Sequence, residues 1–170
     1  MSRSAPGSSD ASSSPFVLVT AALGRLDAYS FWVVPTPPKA AGDLIVVGST
    51  GAFVVQVSSL GGRLRYARGS ASVDGVAIKG LRQLKRSAKR TTSTLSEGSV
   101  YVEAEPIVCL TEAIAGAATT INGVCILHLR DLVPHISGRP RVLEQGRAQR
   151  GARALGMHLA GDRSRHFTVG

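Results

Sequence analysis

The stretch Asp43-Leu-Ile-Val-Val-Gly-Ser-Thr-Gly-Ala-Phe-Val-Val-Gln-Val-Ser-Ser59 decides the fold. Two apolar runs flank a Gly-Ser-Thr-Gly turn, and Val, Ile and Phe favour extended backbone. With Ser49-Thr50 as a two-residue loop, residue 48 pairs with 51, 47 with 52, and so on to 43 with 56. Asp43 and Gln56 then stand side by side on one face, about 5 Å apart at Cβ. Ser58 shares that face because side chains alternate along a strand. One end of the hairpin is thus expected to gather a carboxylate, an amide oxygen and a hydroxyl.

Outward from the hairpin, the chain reads as one α/β unit with a mixed central sheet flanked by helices. Its 170 residues suit a single core. Residues 1–15 are Ser-, Gly- and Pro-rich and read as a flexible tail. The domain is expected over 16–143, and 144–170 as a basic Arg/Gly-rich C-terminal tail with a helix over Glu144–Leu155. Phe16–Leu26 fits a helix or a strand. Ala28–Val34 reads as extended, and Pro35–Ala41, with its three prolines, as a loop. After Leu60-Gly61-Gly62, Arg63–Tyr66 is expected to continue the sheet, with a further turn at Asp74-Gly75. Ile78–Leu95 has helical spacing. Val100–Leu110 and Val124–Leu129 read as strands, Ala113–Ala118 as loop, and Arg130–Ile136 as a short helix.

The hydrophobic content of 44% supports a folded chain, and the net charge of +9 favours an anionic partner. Nucleic acid comes first and an anionic membrane surface second. The charge is clustered: Lys79, Arg82, Lys85, Arg86, Lys89 and Arg90 crowd one helix without an acid between them. Arg63 and Arg65 lie on the strand before it. Such a face suits phosphate contact with counterion release. The few aromatic residues argue against stacking on single strands, so backbone contact with duplex DNA fits best. Cys109 and Cys125 sit in apolar runs and read as buried thiols, a disulfide between them remaining open. No pair of histidines has metal-ligand spacing. No apolar run is long enough for a membrane span, and no cleavage site follows the Ser-rich start, so the chain reads as cytoplasmic.

Asp43, Gly48-Ser49-Thr50-Gly51, Ala52–Val55 and Gln56-Val57-Ser58 together resemble the core of the nuclease-related domain family, within the restriction-endonuclease-like (PD-(D/E)xK) superfamily. Leu60–Leu64, Gln83, Pro106–Leu110 and Val124–Ile136 extend the likeness over roughly Leu26–Leu143. The resemblance implies a restriction-endonuclease-like sheet and a Mg²⁺-dependent site at Asp43, Gln56 and Ser58. That site is degenerate. Gln56 stands in place of the family's acid, and Ser58 in place of its Lys. Asp27 is the single upstream candidate for the family's additional Glu. Lys85 or Lys89 could supply a migrated ammonium.

Three roles stay open on this reading. One is non-sequence-specific DNA binding by a catalytically impaired domain. Another is an active metal-dependent nuclease using Asp43, Gln56 and a migrated Lys. The last is a structural or assembly protein that holds a protein partner by its basic surface or its terminal tails.

Overall fold

The computed structural model describes residues 14–37 and 42–165. The Ser-rich head as far as Ser13, positions 38–41 of the loop and the last five residues lie outside the described residues. The expected α/β architecture is present: a six-stranded mixed sheet flanked by helices. Helix α1 (Pro15–Leu23) is followed by β1 (Phe31–Pro35), β2 (Leu44–Gly48) and β3 (Gly51–Ser58). Next come β4 (Gly62–Ala67), β5 (Ser70–Val73), β6 (Val76–Ala77) and helix α2 (Leu81–Glu97). The chain continues through β7 (Ala104–Leu110), β8 (Ala113–Ile114), β9 (Thr119–Ile121) and β10 (Val124–His128). Helices α3 (Leu129–Ser137) and α4 (Gln145–Arg165) complete it.

The main sheet has the order β1-β2-β3-β7-β10-β9. Strands β3, β7 and β10 run parallel, while β1–β2, β2–β3 and β9–β10 are antiparallel. The central hairpin has the register that its turn dictates: Gly48 opposite Gly51, Val47 opposite Ala52, and so on to Leu44 opposite Val55. Gly48 is required by packing, since a Cβ there would lie 2.0 Å from Cδ1 of Phe31.

Side-chain alternation splits the core into two layers. Ile45, Val47, Ala52, Val54, Val108 and Leu110 face α2, α4 and the small sheet. Leu44, Val46, Phe53, Val55, Ile107, Cys109, Cys125 and Leu127 face α1 and α3. Helix α1 is apolar nearly all round, which is why its pattern fitted helix or strand alike. Val19 and Leu23, four residues apart, are the pair it buries.

The predicted strand Arg63–Tyr66 forms, but it leaves the main sheet. It lies in β4 of a second sheet of order β6-β5-β4-β8. The neighbour of β3 is β7, whose Ile107–Leu110 run is buried throughout. A strand between two others must be apolar on both faces. β4, with Arg63 and Arg65 exposed, cannot meet that demand. Gly62, at φ 120°, turns the chain away, and the Asp74 carboxylate packs where a Cβ would stand. Part of the predicted loop Ala113–Ala118 is β8, which pairs with β4.

Helix α2 starts three residues later than the periodicity suggests. Gly80 takes a left-handed conformation, φ 83°, and Ile78 still bonds Ala71 across the small sheet. Leu84, Ala88, Thr91 and Leu95 form its buried stripe. The helix expected over Glu144–Leu155 forms as α4, Gln145–Arg165, and runs well beyond Leu155. Ala148, Ala152 and Leu155 belong to the core. Among the described residues no helix is long and apolar enough to cross a membrane.

Candidate functional site

Asp43 ends the hairpin ladder and takes over part of it. Its backbone N–H donates to Val55 O at 2.8 Å, and its Oδ2 accepts from Val57 N at 2.6 Å. The carboxylate therefore stands where a strand carbonyl would. Gln56 begins the partly buried end of β3, and its Nε2 donates to Lys79 O at 3.2 Å, beside Gly80. This bond ties the hairpin to the start of α2. Ser58 Oγ faces Leu60 N at 3.5 Å, and its carbonyl accepts from Thr111 N.

These donors do not fit Mg²⁺ well. The ion prefers several hard oxygens and usually more than one carboxylate. Here one carboxylate is present and already bonds a peptide N–H. Among the described residues, Asp43 belongs to no cluster of three acidic, His or Cys ligands. Asp27 does not supply the missing acid. Its carboxylate caps the turn after α1, accepting from Tyr29 N at 3.0 Å and Ser30 Oγ at 2.7 Å. Ser30 O in turn accepts from Ser49 N, so Asp27 sits by the hairpin turn, at the opposite end of β2 from Asp43. Those two bonds hold the Asp27 carboxyl below its ordinary value.

Lys85 reaches elsewhere as well. Its Nζ would lie 3.7 Å from a Cβ on Gly123, just before β10. Continuing the parallel register sets Gly123 level with Phe53, three residues back from Gln56 and two strands across. Lys89 is exposed on the outer face of α2.

The basic face itself is well formed. Arg82, Lys85, Arg86, Lys89 and Arg90 are all exposed, with Lys79 exposed just ahead of them. At about 100° per residue, Arg82, Lys85, Arg86 and Lys89 share an arc of roughly 100°. The stripe that α2 buries lies on the other side. Among the described residues the ion pairs involve Arg130, Asp131, His135, Glu105 and Arg139, so no acid neutralises the α2 cations. The first turn of α2 has no acid and no side-chain cap. Its positive dipole end is left beside Lys79 and Arg82. Arg63 and Arg65 are exposed on β4, where Asp74 clamps the Arg63 backbone from both sides.

On the opposite face of the sheet lies a group that linear spacing hides. Glu105 on β7, Cys125 on β10 and His135 on α3 bring a carboxylate oxygen, a sulfur and a ring nitrogen within 4.8 Å of one another. This group could hold a metal ion. His135 Nε2 is 3.0 Å from Glu105 Oε1, and the Arg139 guanidinium pairs with Glu105 while lying 3.2 Å from His135 Nε2. The Cys125 sulfur first, and then the Glu105 carboxylate, favour the imidazolium and raise His135 to about 9. Burial alone would raise Glu105, but His135 and Arg139 outweigh it and hold the carboxyl below its usual range. Cys109, buried without such partners, is pushed up to about 12. Both cysteines are free thiols. Arg139 also lies over the Phe53 ring, 5.5 Å from its centroid.

The separations of 20 and 10 residues between Glu105, Cys125 and His135 match no ligand spacing. Their meeting follows from two facts of the fold. The parallel pairing of β7 with β10 brings the first two onto one face, and α3 then folds back over that face. No family model, no curated protein and no solved structure matches this chain.

Proposed function

We propose that the protein binds duplex DNA without reading its sequence, through the phosphate backbone and the exposed face of α2. The observation that carries this reading is the set of five exposed cations, Arg82, Lys85, Arg86, Lys89 and Arg90, none of which forms an ion pair with an acid among the described residues. Unpaired like charges on one helix repel, and approaching phosphates relieve that repulsion while releasing condensed counterions. The uncapped N-terminus of α2 adds peptide N–H groups suited to a phosphate oxygen. The residues resembling a nuclease-related site support an impaired domain better than an active one. Asp43 is engaged by Val57, Gln56 by Lys79 O, and the family's ammonium position is Ser58.

The test is equilibrium binding to a mixed-sequence duplex across a salt series. Affinity is expected to fall steeply with salt and to be the same for unrelated sequences. The variant Arg82→Gln/Lys85→Gln/Lys89→Gln should flatten the slope of log K against log salt by about 2 to 3. Absence of binding at low salt would overturn the reading and leave the basic face to a protein partner. Metal-dependent cleavage of plasmid DNA that Asp43→Ala abolishes would overturn the impaired site.

A further inference from the structure

We propose that Glu105, Cys125 and His135 form a zinc site with three protein ligands and a fourth position open to solvent. The site lies on the sheet face away from α2 and does not depend on the DNA-binding reading.

The donor types select the ion. A thiolate and an imidazole favour a borderline-soft ion such as Zn²⁺ over Mg²⁺ or Ca²⁺, and a carboxylate is an accepted third partner. Zinc–ligand bonds of about 2.0–2.3 Å place tetrahedral ligand atoms roughly 3.3–3.8 Å apart. The three atoms lie within 4.8 Å of one another before any ion enters, so side-chain rotation closes the gap without moving a strand. Each ligand comes from a different element, so the packed sheet and α3 set the geometry.

Closed structural zinc sites have four protein ligands, whereas three ligands leave a place for water or a substrate. Of the three ligands Glu105 also lines a cleft of about 340 Å³, together with Glu103, Ala104, Pro106, Gly123 and Arg139, and in the zinc reading the open position lies on that side. Cys125 is 3% exposed, too enclosed for a bulky electrophile. The bland alternative is a polar trio of Glu105, His135 and Arg139 beside an inert thiol, and it predicts no metal affinity. In the zinc reading the ion displaces Arg139 as the counter-cation of Glu105. The Cys125 thiol loses its proton to solvent on binding, and His135 presents a neutral nitrogen.

The intact protein, stripped with chelator, is titrated with Co²⁺ and separately with Zn²⁺. One equivalent of Co²⁺ is expected to bind and to produce a thiolate-to-cobalt absorption band in the near ultraviolet, which Zn²⁺ then abolishes. Glu105→Gln and His135→Gln should each weaken binding about tenfold or more, and Cys125→Ser should remove the band. Cys109→Ala and His158→Gln should leave both unchanged, with near-ultraviolet circular dichroism reporting that each variant is folded. No stoichiometric Co²⁺ or Zn²⁺ binding by the intact protein overturns the proposal, whatever the variants do. So does a band that persists in folded Cys125→Ser.

Discussion

At the scale of single residues, Asp43 shows how the same geometry serves two purposes. Turn arithmetic pairs it with Gln56 at the hairpin end, and the ladder keeps that register but stops one pair short, at Leu44 and Val55. What arithmetic does not reveal is that the carboxylate substitutes for a missing ladder carbonyl by accepting from Val57 N. A hydrogen bond to a charged acceptor contributes about 1.5–3 kcal/mol. Asp43→Ala is therefore expected to lower unfolding free energy by about 1–3 kcal/mol in urea titration, and Asp43→Asn, which keeps an acceptor, by less than half of that. Equal losses would mean that the Val57 bond contributes nothing. The Glu105, Cys125 and His135 group was illegible for a different reason. Its members are brought together by strand pairing and a helix return, and neither leaves a trace in residue spacing.

Elements with a clean period were legible, and elements whose fate depends on partners were not. The continuous apolar runs of the hairpin, with their Gly-Ser-Thr-Gly turn, and the buried stripe of α2 each follow from local chemistry. The placement of Arg63–Tyr66 does not, because β3 had two candidates for its free edge and the more apolar one, β7, took it. Helix α4 is the clearest case. Its Arg- and Gly-rich composition reads as a tail, yet small residues let it lie close. A Cβ on Gly151 would come 2.8 Å from Leu95 Cδ2 and 3.5 Å from Val100. Leu155, 2% exposed, fills the same layer. Leu155→Ala is expected to cost about 2–5 kcal/mol by chemical denaturation. A residue in a solvated tail would cost nothing.

For the molecule as a whole, the main sheet acts as a partition. The cations of α2 lie beyond one face, and Glu105, Cys125 and His135 lie on the other. Distant sites with no shared partner act additively. Arg82→Gln/Arg86→Gln/Lys89→Gln, which spares the Lys85 that reaches Gly123 at the cleft, should therefore leave Co²⁺ affinity unchanged within about twofold, and His135→Gln should leave the salt slope of DNA binding unchanged. A shift in either measurement would show that the sheet transmits between its faces. The fold class was readable from the order of elements, while the split into two sheets depends on contacts far apart in the chain. One such contact is the bond from the Asn122 side chain to Gly69 O, which ties the turn before β10 to the turn between β4 and β5.

The docking of α4 also bears on how the protein is made. Ile45 and Val47 of the hairpin share a layer with Ala148, Ala152 and Leu155, about 100 residues downstream. On a ribosome adding roughly 5–20 residues per second, those valine- and isoleucine-rich strands emerge several seconds before their cover is synthesised. Through that interval the nascent hairpin offers a sticky, half-clad surface, the kind of segment that a chaperone would shield.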